Sequence, residues 1–147
     1  IAEYDRILSR MAKTDHRSQR LMELKGVGPT TACALVASIG NAHDFKNGRQ
    51  LAAWLGLTPS QYSSCGKSNL GRITKAGDSY LRTFLVQGGR SVLIGAEKKT
   101  DSFSRWVCSL IERRGYWRAV VAIAVKNARL CWASLHYGDD VRLYSAS

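Results

Sequence analysis

Four serines stand close together in the chain: Ser60, Ser63, Ser64 and Ser68. Lys67, Arg72, Lys75 and Arg82 stand among and after them, and glycines punctuate the stretch at positions 56, 66, 71 and 77. A serine hydroxyl is a weak nucleophile until a base or a metal activates it. A phosphodiester target also needs positive charge around its nonbridging oxygens. Ser63 and Ser64 with the four cations supply a nucleophile and that charge. They have no evident base beside them and no carboxylate cluster for magnesium, since Asp78 is alone and reads as a helix cap. Chemistry alone leaves two readings level. In one, a serine attacks a phosphodiester; in the other, a basic loop uses its serines only to hydrogen-bond phosphates.

Gly66-Lys67-Ser68 also invites a phosphate-cradling G-x-x-x-x-G-K-[ST] reading, but the first glycine would fall on Gln61 and no buried strand precedes it. That reading is rejected. A polar stretch as long as Gly56–Arg82 is uncommon in a small domain unless it has a function. Loops held on a rigid scaffold are where binding and catalytic residues concentrate.

The scaffold reads as helical. Ile7, Leu8 and Met11 recur at helical spacing in residues 1–13, and residues 14–19 read as a polar connection. A short helix is expected to end at Gly26. Gly26-Val27-Gly28 then makes a turn, and Pro29 opens a new helix at the position where its missing N–H is harmless. This resembles the helix-hairpin-helix motif of DNA-binding proteins, in which the glycine turn and the following helix N-terminus offer N–H groups to a phosphate. Gly26, Val27, Gly28 and Thr30 are the DNA contacts so implied. Gly28 is expected to hold a backbone conformation that a side chain would oppose. The alternative is an ordinary helical hairpin with a glycine turn.

Asp44 and Asn47 are candidate caps for a helix over residues 48–55, with Leu51, Trp54 and Leu55 inward and Gly56 closing it. His43 reads as a surface residue. After the central stretch, a helix over residues 79–94 carries Leu81, Phe84, Leu85, Gly88 and Val92 as its stripe, with Arg82 outside it near the loop. Gly88-Gly89 in mid-helix is unfavourable by roughly 1 kcal/mol per glycine, which points to close approach of another backbone. Asp101 or Ser102 caps a helix with Phe103, Trp106, Val107, Leu110 and Ile111 inward, ending at Arg113-Arg114-Gly115. Residues 117–136 form a last, largely apolar helix expected at the centre of the core, with Lys126 and Arg129 on its polar side. No segment alternates as a strand. The expected fold is all-α, with about six helices including a helix-hairpin-helix motif and a long polar catalytic loop. Residues 1–20 are an N-terminal helix and linker, 21–138 the domain, and 139–147 a tail.

Composition narrows the partner. The 147 residues suffice for one domain with a core. Lys+Arg 22 against Asp+Glu 11 gives a net charge of +11, which suits a polyanion, most simply nucleic acid. The cations are spread along the chain instead of lining one amphipathic helix, which disfavours a membrane surface. No apolar run is long enough to span a bilayer, and no signal peptide is visible. Cys33, Cys65, Cys108 and Cys131 stand far apart without matched histidines, so neither a zinc site nor a disulfide framework is signalled, and the cysteines other than Cys65 read as buried thiols of a reducing compartment. The chain begins at Ile1 within a helix-like run and reads as part of a longer protein.

A resemblance covers nearly the whole chain. KGVGPTTACALVASIG, FKNGRQLAAWLGLTPSQYSS, GKSNLGRITKAGDSYLR and AVVAIAVKNARLCWASL look like the C-terminal domain of bacterial insertion-sequence transposases related to Piv-type DNA invertases, the bridge-RNA-guided serine recombinases. The combination of GLTP, Y-S-S, G-R-I-T-K-x-G-D and Y-L-R is long and specific. The resemblance implies a DNA transposase or recombinase that cuts and rejoins strands, with its serine in a Y-x-S-G pattern that maps onto Ser64. Cys65 stands where that pattern has glycine, which leaves Ser63 as the alternative nucleophile. It further implies an N-terminal RuvC-like domain whose acidic residues bind Mg²⁺, so that no metal or other cofactor is expected on this part of the chain. A guide RNA, a dimer or tetramer of the full-length protein and a bacterial cytoplasmic location are implied in the same way. A non-catalytic helix-hairpin-helix DNA-binding module and a protein-assembly domain are the other functions weighed.

Overall fold

In the computed structural model, residues 2–39, 42–57, 59–62, 69–73 and 79–138 are described, with backbone alone at 2, 4, 5, 8, 59–62 and 69–73. The fold is all-α. The described residues form seven α-helices: α1 (Ala2–Thr14), α2 (His16–Leu21), α3 (Pro29–Ile39), α4 (Gly48–Trp54), α5 (Ser79–Ala96), α6 (Ser102–Arg114) and α7 (Tyr116–Tyr137). A 3-10 turn at Ala42–Asp44 precedes α4.

Helix α7 is central, as its apolar composition requires. Ala119, Val120 and Ile123 in its first half are fully buried with Leu93 and Ala96 of α5 and Val107 and Leu110 of α6. Ala124, Ala128, Cys131 and Trp132 in its second half join Leu21, Leu35, Leu51, Leu55, Leu57, Leu81 and Leu85 in the larger cluster. Two cores thus share one helix. Burial pushes the Cys131 thiol up to about 12, so it is an inert apolar side chain at neutral pH. Cys33 and Cys108 are half-buried free thiols.

Several caps fall where side-chain chemistry places them. Asn47 accepts from Gln50 N at 2.9 Å and starts α4. Asp101, not Ser102, starts α6: its carboxylate accepts from Ser104 N at 3.2 Å and from Ser104 Oγ at 2.7 Å. Gly56 closes α4 with φ +76°. Its N–H donates to Ala53 O and the Leu57 N–H to Ala52 O, both at 3.0 Å, which is a Schellman closure. Alanine at position 56 would have to adopt that left-handed backbone. Gly56→Ala is therefore expected to destabilise by about 1 kcal/mol, read as a drop of roughly 3 °C in the thermal midpoint.

Three expectations need correction. Residues 14–19 are not a connection: Asp15 accepts from Arg17 N at 3.1 Å and from Ser18 Oγ at 3.2 Å, which starts α2 at His16, and this short helix ends at Leu21, capped by Met22, instead of at Gly26. Trp54 is 38% exposed and lies beside Phe45, with ring centroids 5.5 Å apart, so it does not point into the core. The helix expected over residues 1–13 is present as α1, with Ile7 and Met11 exposed on it. The central stretch also contains strands. β1 (Pro59–Tyr62) pairs antiparallel with β2 (Asn69–Ile73), with Gln61 opposite Leu70 and Tyr62 opposite Asn69. Strands of four and five residues with a register irregularity at Pro59–Gln61 hold too few repeats for a period of two to register.

Candidate nucleic-acid interface

The ribbon is mounted at both ends. Leu55 and Leu57 enter it fully buried, and Leu81 and Leu85 leave it at 1% exposure each. The intervening polar stretch therefore starts and ends on the larger core. Arg72 lies on β2. Arg82 is half-buried in the first turn of α5. Ser63, Ser64, Cys65, Lys67, Lys75 and Asp78, together with residues 139–147, lie outside the described residues.

The glycine turn is built differently from the sequence expectation. Gly26, at φ +93°, is the residue that must lack a side chain: a Cβ there would come to 2.8 Å from Gly88 O and 3.0 Å from Val92 Cγ2. A Cβ at Gly88 would overlap the Gly26 carbonyl oxygen. The close approach foreshadowed by Gly88-Gly89 is thus real, and the approaching backbones are this turn and α7, since a Cβ at Gly89 would meet Val120 O at 2.8 Å. Gly28 lacks the expected strained backbone, and a Cβ there meets nothing within 4 Å. The reason is its place: its carbonyl accepts from Ala32 N at 2.9 Å, so it is the extended residue before a helix that Pro29 opens.

Two more contacts clamp this turn, and the sequence reading missed both. Asn127 of α7 is fully buried and donates from Nδ2 to Lys25 O at 2.9 Å. Lys25 Nζ donates to Asp101 Oδ2 at 2.7 Å and lies 4.9 Å from the Phe103 ring centroid. The Lys25 ammonium, then the Ser104 hydroxyl, hold the Asp101 carboxyl far below the usual carboxylate range. A depressed carboxylate stabilises the fold above its unfolded pKa, and that contribution is lost as pH falls towards the folded value. Asn127 was findable as an amide amid the apolar run of α7. Lys25 and Asp101, 76 positions apart, gave no local signal.

Val27 is buried, Thr30 half-buried and Gly28 exposed. Of the four implied DNA contacts, Gly26 and Val27 therefore face the protein, and Gly28 and Thr30 stand at the outer edge of the turn. The first turn of α3 leaves N–H groups that the helix itself does not pair. Among the described residues, no group of three or more His, Cys, Asp or Glu side chains stands where it could hold a metal ion. No described helix is long and apolar enough to cross a membrane.

Comparison with known proteins settles the lineage. Residues 18–105 match the transposase IS116/IS110/IS902 family, more than half of the chain. The chain belongs to this family. It is 47% identical over 135 residues to a probable family 20 transposase of Pseudomonas aeruginosa, covering 92% of the chain and 40% of that protein. It is 45% identical over 142 residues to the transposase for insertion sequence element IS1111A of Coxiella burnetii, covering 97% of the chain and 39% of that protein. With the transposase for insertion sequence element IS1328 of Yersinia enterocolitica it shares 35% identity over 132 residues, 90% of the chain and 40% of that protein. The chain spans about two fifths of the length of the curated relatives it matches.

The family match reaches from α2 into α6 and includes both the clamped turn and the ribbon.

Proposed function

We infer that this chain is the DNA-gripping, serine-bearing part of a transposase that cuts and rejoins DNA strands. Membership of the family supports the transposase activity. The observation that carries the local reading is the anchoring of the polar ribbon between fully buried Leu57 and nearly buried Leu81. Functional residues concentrate in polar stretches that a helical scaffold carries, and this basic stretch starts and ends on the core.

Ser64 is the proposed nucleophile, with Ser63 as the alternative. Its Oγ gives up its proton and attacks phosphorus, the bond from phosphorus to one strand oxygen breaks, and that oxygen takes up a proton and leaves as the hydroxyl of the strand end. The product is a phosphoserine link that a second strand end can later attack. Lys67, Arg72, Lys75 and Arg82 neutralise the phosphate. The outer edge of the Gly26–Thr30 turn, at Gly28 and Thr30, grips a backbone phosphate through main-chain N–H groups, a sequence-independent contact of the helix-hairpin-helix kind.

The described residues do not provide the donor set that Mg²⁺ needs. We place that ion with acidic residues of an N-terminal RuvC-like domain. The relation to Piv-type invertases, a guide RNA, assembly as a dimer or tetramer, and action in the bacterial cytoplasm complete the proposal.

The test uses the 147-residue chain with labelled duplex and branched DNA. Binding is expected with little sequence preference, and with an affinity that falls steeply as salt rises, because neutralising phosphates releases condensed counterions. No cleavage is expected with or without Mg²⁺. Tight, salt-insensitive binding would overturn the phosphate-gripping reading. Metal-dependent cleavage lost in Ser64→Ala would show that the active site is complete in this chain.

A further inference from the structure

A second surface lies at the corner between α6 and α7. Arg113 and Arg114 end α6, Gly115 turns the chain at φ +88°, and Tyr116, Trp117 and Arg118 open α7. Trp117 is 62% exposed and Tyr116 38% exposed. Their rings meet edge to face with centroids 5.5 Å apart. Arg90 of α5 joins them from 26 residues away: its Nε donates to the Tyr116 hydroxyl at 3.3 Å, and its guanidinium carbon lies 5.9 Å from the Trp117 ring centroid. An exposed indole thus lies beside a guanidinium and a phenol.

The charge of this corner is one-sided. Between Ser102 and Gly138 the sequence holds six Lys or Arg residues and one acid, Glu112. Among the described residues, Arg90, Arg113, Arg114 and Arg118 make no ion pair with a carboxylate. We propose that this corner docks an unpaired nucleic-acid strand, with a base stacked on Trp117 and the four arginines on the flanking phosphates. Every base has a π-face, so an exposed aromatic beside a basic track accepts any unpaired strand. A second copy of this chain fits the corner poorly, because a two-fold contact would set its arginines against the same arginines. An apolar protein partner would bury these cations without pairing them.

The corner is also placed to continue the proposed DNA path. Arg82 and Arg90 are eight residues apart on α5, about 12 Å along the axis. The corner needs no nucleophile, so its test is independent of Ser64.

The experiment measures binding of the 147-residue chain to labelled oligo(dT), to oligo(rU) and to a blunt duplex of equal length, across a salt series. Trp117→Ala is expected to weaken both single strands about five- to hundredfold and to leave the duplex within about twofold. Trp117→Phe is expected to keep most of the affinity, since it retains a stacking ring. The double change Arg113→Ala with Arg114→Ala is expected to lower the single-strand salt slope by about 1.4. Loss confined to one of the two single strands would identify that strand as DNA or RNA, and loss on both would show that the corner does not distinguish them. Thermal unfolding checks that the exposed substitutions leave the fold intact. Single-strand affinity unchanged in Trp117→Ala, or a loss equal on single strand and duplex, would overturn the stacking assignment. A sedimentation change from dimer to monomer in Trp117→Ala with nucleic-acid affinity unchanged would make the corner a self-association face instead.

Discussion

In the full-length transposase proposed above, Ser64→Ala is expected to abolish the covalent protein–DNA adduct and lower strand transfer by roughly a thousandfold or more, while DNA affinity stays within about twofold. The substitution deletes the oxygen proposed to form the new bond but changes no charge. The electrostatic part of binding, set by Lys and Arg, therefore persists. Lys67→Ala or Arg72→Ala is expected to behave differently, weakening binding and rate together, because a phosphate-neutralising cation acts in both the ground and the transition state. Ser63→Ala is expected to be the milder serine change. Denaturing electrophoresis of labelled DNA with each variant reads the adduct directly. An adduct that persists in Ser64→Ala and vanishes in Ser63→Ala would move the nucleophile one residue upstream. An adduct absent from the unmodified protein under every metal condition would favour a non-catalytic DNA-binding module.

The largest effect on folding is expected at Gly88. Alanine is the better helix former by about 1 kcal/mol, so an isolated α5 would gain from Gly88→Ala. Here the added methyl would overlap the Gly26 carbonyl oxygen, which belongs to backbone and cannot swing away like a side-chain end. The turn would have to lift off α5, straining the Asn127–Lys25 hydrogen bond and the Lys25–Asp101 contact that fasten it. Overpacking of this kind costs about 3 kcal/mol, which outweighs the propensity gain and leaves a net loss of about 2 kcal/mol. The thermal midpoint should fall by roughly 6 °C. Gly28→Ser, two residues beyond Gly26, should stay within about 0.5 kcal/mol of the parent, since its site is open and serine is a favoured residue before a helix. A Gly88→Ala protein more stable than its parent would mean that the turn does not sit on α5.

The helices were legible because their causes are local. Pro29 at the start of α3, Asn47 and Asp101 as caps and Gly56 as a closure each act on backbone groups within a few residues. The apolar majority of residues 117–136 was enough to place α7 in the interior, and Gly88-Gly89 was enough to announce a close backbone contact. The family resemblance extended the reading to Ser64, which lies outside the described residues. The partners across the fold could not be read in that way. That Gly88 faces Gly26, that Lys25 reaches Asp101, that Trp54 emerges, and that Arg90 meets Tyr116 and Trp117 all depend on how helices far apart in sequence pack. Such contacts leave no periodicity, because each is one residue meeting another across an interface whose angle and depth the whole core decides. The same fact explains why the glycine requirement fell on Gly26 and spared Gly28. The turn chemistry allowed either, and only the surface of α5 distinguishes them.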